Sequence, residues 1–270
     1  MGLTFKHAPL AEIVAELRWD VADIGVAQLQ PAVPVVPVPV LASTALEEFF
    51  MRFGGEAFQL NFQRSERLVP PGFPLLPFQA TYRYKKQDEV GSEILQVGLG
   101  VFTANAVPPY KSWDEFAPIV ASGIGALIRS RSAADRDKPF ISTSLRYIDL
   151  FGAELCRGMS TASFVRDVLG IRIDIPAAVS RVAIDDESIV PFVQLTIPAR
   201  DSLLMSLTVG EGITGGSQAV ILDTTVSTAI PVEPRTEAVM TVLGSARTLI
   251  HDMFVAMTKP LHDVMEPSGG

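Results

Sequence analysis

The sequence predicts an α+β protein made of two tandem β-α-β-β-β-β-α units, each an antiparallel sheet covered by a long helix. Three observations carry that expectation. The same order of strand-like and helix-like segments occurs twice. The opening strand of each series holds Leu-Arg followed by an aromatic: Leu17-Arg18-Trp19-Asp20 in the first, Leu145-Arg146-Tyr147-Ile148-Asp149 in the second. Each series also closes on an amphipathic helix, which an antiparallel sheet with one apolar face requires. The units fall at residues 1–135, with a Pro-Val arm at 31–40, and at residues 138–265.

In chain order, Ile13–Asp20 alternates apolar and polar residues and reads as a strand. The arm PAVPVVPVPV follows, and its prolines remove ladder donors and favour an extended, edge-type segment. So apolar an arm is expected to pack on the edge of its own domain or on a second copy. Ser43 caps a helix over Thr44–Arg52 that Gly54-Gly55 ends. Strands follow at Ala57–Arg64, Phe78–Lys86, Glu93–Gly98 and Val101–Val107, with turn residues between the earlier ones. Ser112 with Glu115 forms a capping box, and Phe116, Val120, Ile124, Leu127 and Ile128 make one helical face.

The second series opens with a strand over Phe140–Leu150 and a short helix over Thr161–Leu169, capped by Ser160 and stopped by Gly170. Strands at Val179–Asp185, Phe192–Ile197, Leu203–Val209 and Ala219–Thr225 read as an antiparallel meander. A helix from about Glu233 to Val264 closes the chain, bent or ended locally at Gly244 and Pro260.

Composition narrows the class. Of 270 residues, 48% are hydrophobic and only 19% charged, which excludes disorder for most of the chain and supplies a sizeable core. A mean hydropathy of +0.30 suggests apolar surface buried against a partner. No membrane span is expected, because the most apolar stretch, Ile24–Leu41, carries four prolines and two glutamines. Glu12 and Glu16 stand where a signal peptide would need its apolar core, and one cysteine, Cys156, forms no internal disulfide. A cytoplasmic protein is the expectation.

Catalytic patterns are mostly missing. His251 and His262 lie eleven residues apart, too far to share a metal on one helix, and His7 is remote, so structural histidines are the better reading. Cys156 beside Arg157 lacks a positioned histidine for thiolate chemistry. Gly98-Leu99-Gly100 sits between strands and reads as a turn. Gly210–Gly216 reads as a hairpin loop, since no helix follows it and the Lys-Ser/Thr of a P-loop is missing. Asp185-Asp186-Glu187 is a solvated acidic turn. Arg83-Lys85-Lys86 and Arg129-Arg131-Arg136-Lys138 read as solvated surface. No catalytic residue, metal or cofactor is expected.

The densest stretch runs from Thr103 to Phe116, joining a strand to a capped helix through Asn105, Pro108-Pro109, Tyr110 and Trp113. Structurally, Tyr110 and Trp113 staple the helix start to the core. Functionally, the same corner presents aromatic anchors of the kind binding surfaces favour. The run Ala8–Ile13 into Leu17-Arg18, then Leu95–Gly98, Asn105, Pro108-Pro109-Tyr110, Trp113 and Leu145-Arg146-Tyr147, resembles a sporadically distributed bacterial family of similar length. Ile250–Phe254 fits the same pattern. The resemblance brings no activity with it; patchy distribution of this kind accompanies defence or toxin–antitoxin loci. The element order also resembles the repeat of the TATA-box-binding protein and, more loosely, helix-grip folds, which by itself implies no function.

Three functions follow as expectations. The first is a non-catalytic binding module for a protein partner, a second copy or a small ligand, with Arg18, Trp19, Asn105, Tyr110, Trp113, Arg146 and Tyr147 as candidate contacts. The second is a metal-independent enzyme or anionic-ligand sensor that uses Arg18 and Arg146 with Asp20 or Asp149. The deciding observation there is whether the arginines face a solvent-filled cavity or salt-bridge to neighbours. The third is a nucleic-acid-binding saddle, which charge opposes. The chain carries −8 overall, and Asp174–Glu233 holds eight acidic against two basic residues. A duplex there meets repulsion instead of counterion release. Fluorescence anisotropy with a random-sequence duplex at about 150 mM salt, where the Debye length is about 8 Å, is therefore expected to show no tight binding. Submicromolar binding that collapses with added salt would reverse this.

Overall fold

A computed structural model describes residues 3–21, 44–87, 93–109, 112–185 and 189–268. The Pro-Val arm, Ser43, Tyr110, Asp186 and Glu187 lie outside the described residues. In order, the elements are β1 (Thr4–Phe5), β2 (Leu10–Arg18), α1 (Thr44–Gln59), β3 (Arg64–Arg67), β4 (Ala80–Lys85), β5 (Glu93–Gly98), β6 (Val101–Ala106) and α2 (Trp113–Ser130). They continue with β7 (Ser142–Phe151), α3 (Ala153–Cys156), α4 (Thr161–Ser163), a π-helical turn (Phe164–Val168), α5 (Ala177–Ser180), β8 (Val193–Pro198), β9 (Leu203–Thr214) and β10 (Ser217–Thr228). Helix α6 (Thr236–Met257), a 3₁₀ turn (Lys259–Leu261), α7 (His262–Met265) and β11 (Pro267–Ser268) follow. The protein is α+β with a large antiparallel sheet, in strand order β3-β4-β5-β6-β2-β7-β10-β9-β8. No helix among the described residues is long and apolar enough to cross a membrane.

The chain forms two compact units. One comprises Val14–Leu145 and Ser227–Gly244; the other comprises Met1–Ile13, Arg146–Val226 and Ser245–Gly270. Both are discontinuous in sequence.

In the first unit, Ser112 caps α2 as expected, its side chain accepting from the Glu115 amide at 3.3 Å. The face of Phe116, Val120, Ile124 and Leu127 is buried. On the sheet, Tyr84 stands opposite Leu95, Leu95 opposite Ala104, and Val97 opposite Phe102, so period-2 alternation delivers one apolar face. Gly123 lets α2 approach closely, since a Cβ there would sit 2.8 Å from the Phe102 ring. Gly98 is tighter still: its Cβ would meet the Gln79 carbonyl oxygen at 1.8 Å.

Helix α1 departs from the sequence expectation. It continues through Gly54-Gly55, although each glycine costs about 1 kcal/mol in a helix interior. Phe53 and Ala57 on either side are fully buried, and that packing outweighs propensity. Asn61 in the left-handed conformation, φ 67°, follows the helix at its end. The segment expected as a strand at Ala57–Arg64 is therefore helix and turn, and the strand starts at Arg64.

The second unit gathers Phe151, Phe164, Val165, Val209, Leu222 and Met265 into one buried cluster. Ser160 caps the short helix, accepting from the Ser163 amide at 3.2 Å, and Gly170 at φ 72° stops the segment. Val179–Asp185 is not a strand: Pro176 leads into the single helical turn α5, and Val182 and Ile184 are exposed without a neighbouring strand. The expected loop at 210–216 is tighter than predicted. Strand β9 runs on to Thr214, and Gly215-Gly216, both at positive φ, make the two-residue turn into β10. Helix α6 ends at Met257, because Pro260 cannot continue it.

The basic group around residue 131 is not uniformly solvated surface. Arg129 pairs with Glu56 at 2.7 Å and Lys138 with Asp135 at 3.0 Å, but Arg131 is only 1% exposed. Its guanidinium lies 5.5 Å from the Trp19 ring centroid and 5.2 Å from that of Phe140. Its Nε, Nη1 and Nη2 have no hydrogen-bond partner among the described residues. Burial pushes its pKa down to about 10, partly opposed by Asp135 and Asp137. Cation–π attraction returns about 2 kcal/mol when desolvated, less than the several kcal/mol lost in taking the cation from water. Arg131→Met keeps the length, stacks on the same rings and removes the charge. Its melting temperature is expected to rise by several degrees, as read by calorimetry; a fall would show the ring contacts to be the larger effect.

Candidate functional site: an aromatic cleft

In the first unit, α1 and the β3–β4 hairpin enclose an open cleft of about 250 Å³. Glu47, Phe50, Met51, Gly54 and Phe58 recur at helical spacing and so share one side of α1. Tyr82 and Tyr84 alternate along β4 on one face, with Ser65 of β3 opposite Tyr84. Phe62 and Gln63, from the turn after α1, close one end.

The rings are in contact. Phe50 and Tyr82 have centroids 5.0 Å apart, and Tyr82 and Tyr84 stack at 6.4 Å and 23°. Tyr84 is anchored from below by Phe53 at 5.4 Å, and its hydroxyl donates to the Phe50 carbonyl at 3.4 Å. Burial first, and the neighbouring Tyr82 second, raise the Tyr84 pKa well above the usual phenol range, so it stays a neutral hydroxyl. Arg67 fixes the opposite wall: Nη1 donates to the Tyr82 hydroxyl at 3.0 Å, Nη2 to Glu47 at 3.3 Å and Nε to the Val69 carbonyl at 2.8 Å. Met51 and Phe58 stand exposed at the rim, at 69% and 59%. This arrangement can hold a flat apolar group and offer a hydroxyl or carboxylate to its edge. It contains no nucleophile paired with a base. No group of three or more potential metal ligands occurs among the described residues.

The residues singled out in the sequence lie elsewhere. Arg18 pairs with Glu16 at 2.7 Å and lies 5.3 Å over the Phe78 ring. Trp19 is buried against Phe49 and Phe140. Asn105 is buried and accepts from the Thr103 hydroxyl at 2.7 Å. Trp113 packs edge-on to Phe116, one turn along α2. Arg146 pairs with Asp223, its Nε donating at 2.8 Å, and Tyr147 is half-buried. Each arginine thus has its own carboxylate. His251 and His262 hydrogen-bond the Leu3 and Val255 carbonyls at 2.7 and 3.1 Å. The buried Cys156 thiol donates to the Phe151 carbonyl at 3.2 Å, and desolvation raises its pKa, the opposite of what thiolate chemistry needs.

The cleft went unread in the sequence because its rings sit on elements that a core also explains. The available signal was an excess of apolar residues on α1: Met51 and Phe58 fall outside the face that Leu46, Phe49, Phe53 and Ala57 bury.

With this geometry in hand, comparison with known proteins adds no relative: no family model matches the chain, and neither a curated protein nor a solved structure matches it.

One titratable group stands apart from the cleft. Asp149 on β7, in the second unit, is 4% exposed, and burial, with a smaller contribution from Asp223, pushes its pKa up to about 8. Unfolded, the carboxyl ionises near 3.9; folded, it keeps its proton to about 8. Folding therefore takes up a proton across that window, and stability falls as pH rises from about 4 to about 8. Asp149→Asn removes this dependence. It is expected to match the wild type near pH 4 and to exceed it by up to a few kcal/mol at pH 8, in urea titrations at both pH values. Equal stability at pH 8 would overturn this account.

Proposed function

We propose that the protein is a non-catalytic binding module whose α1–β4 cleft takes a flat apolar or aromatic group, either a small molecule or a partner's side chain. The observation that carries the reading is an open cleft whose floor is the buried rings of Phe50 and Tyr84 and whose rim exposes Phe58 and Met51, beside a Tyr82 wall held by Arg67. Exposed aromatic anchors on a fixed scaffold lose little entropy on binding. The enzyme or anion-sensor reading has less support, since Arg18 and Arg146 are each neutralised by a carboxylate. The nucleic-acid reading has less support for reasons of charge.

An internal duplication accords with the strand order within each unit. Outward from β2 the order is β6, β5, β4, β3; outward from β7 it is β10, β9, β8. On this reading the protein is a cytoplasmic member of the bacterial family its motifs resemble.

Ligand-observed NMR with single-ring aromatic fragments tests the cleft, where affinities near millimolar are ordinary for ligands of that size. Binding is expected in the wild type and lost in Gly54→Leu, whose side chain enters the cleft beside Tyr84, with the melting temperature of the variant as a control for folding. Fragments that bind both proteins alike, or neither, would refute the cleft as the site.

A further inference from the structure

The two strands at the ends of the sheet order are built differently. Strand β3 reads Arg-Ser-Glu-Arg, with Arg67 and Glu66 in ion pairs, a charged edge of the kind that resists pairing with other chains. Strand β8 reads Val-Gln-Leu-Thr-Ile-Pro, and no charged residue occurs anywhere in Ile189–Ala199. Among the described residues it pairs only with β9, from Val193 opposite Val209 to Pro198 opposite Leu204. Its side chains are open on both faces. Leu195 and Ile197 are about 40% exposed on one, while Phe192, 74% exposed, lies over Gly210 just before the strand. An unprotected apolar edge is a template for another strand.

We propose that this edge is a self-association surface, on which β8 of a second copy pairs antiparallel with β8 about a two-fold axis through Leu195. The sequence is self-complementary in that register. A two-fold normal to the sheet keeps each side chain on its own face, so Leu195 meets Leu195, Val193 meets Ile197, and Gln194 meets Thr196. Apolar side chains meet on one face, and two hydrogen-bonding side chains meet on the other. Pro198, which has no amide to donate, falls beyond these pairs at the strand end. The neutrality of the segment also favours a second copy over a basic partner. Two chains of net charge −8 repel at long range, but exposed charges farther apart than about 8 Å are largely screened at 0.15 M salt. Five paired residues per strand with Phe192 and Leu204 beside them bury on the order of 500 Å² per copy, the lower end for specific association, which sets the expected dissociation constant in the micromolar range.

Sedimentation equilibrium on the full chain between about 1 and 100 μM tests the proposal, the range following from that estimate. The wild type is expected to move from the 29.1 kDa monomer to the dimer. Gln194→Lys with Thr196→Lys places like charges opposite each other at exposed positions and should weaken the dimer at least tenfold, with an unchanged circular dichroism spectrum. Gln194→Glu with Thr196→Lys places Glu opposite Lys in the same register and should restore it. A wild type that stays monomeric at 100 μM, which would leave the edge to a different protein's strand, overturns the proposal. So does a dimer insensitive to the double lysine variant, or one that the Glu–Lys pair fails to restore.

Discussion

The end of the first unit closes around one buried guanidinium. Arg131 leaves the last turn of α2 and enters between the rings of Trp19, just beyond β2, and Phe140, just before β7. Backbone bonds converge on the same place. The Trp19 amide donates to Gly100 at 3.0 Å, Ile141 donates to Arg18 at 2.8 Å, and Phe140 exchanges both of its bonds with Val232. The cation lies buried where the backbone already fixes three segments, so removing its hydration is the cost of joining a helix end to two strand ends. Helix α2 takes its position on the sheet from that junction and from the close approach at Gly123.

The position of the aromatic cleft follows from how the remaining rings are divided. Phe53 and Phe102 lie under the sheet–helix interface at 5.9 Å and hold α1 down. With that face committed, and Phe50 packed on Tyr82 of the sheet, Phe58 and Met51 have no sheet left to cover and stand exposed on the open side. The glycine pair in α1 serves the same geometry: Gly54 keeps a side chain out of the space beside the Tyr84 hydroxyl. A residue pair that weakens the helix locally is also what keeps the cleft hollow.

Much of the element order was legible in the sequence, because alternation and capping are local. Ser112 with Glu115, Ser160, and the strands at 93–98 and 101–106 needed no tertiary information. The misreadings came where packing overrides local chemistry. Gly54-Gly55 reads as a stop, yet α1 continues because Phe53 and Ala57 bury on both sides. Val179–Asp185 has the composition of a strand but no neighbour to pair with. Arg131 looks solvated among Arg129, Arg136 and Lys138, and only the arrival of Trp19 and Phe140 from distant segments buries it. The conspicuous arginines at 18 and 146 satisfy nearby carboxylates, a pairing that residue identity alone does not reveal.

The short ladder between β1 and β11 links Thr4 to Ser268, 264 residues apart, with Thr4 Oγ1 and Ser268 Oγ 2.8 Å from each other. Translation proceeds at about 5–20 residues per second, so the first strand emerges on the order of tens of seconds before its mate exists. During that interval its backbone groups are satisfied by water or by a chaperone, and the unit it belongs to stays incomplete. The second unit therefore assembles late in synthesis, whereas β3 to β6 and α2, which lie close together in sequence, can dock while the ribosome is still adding residues.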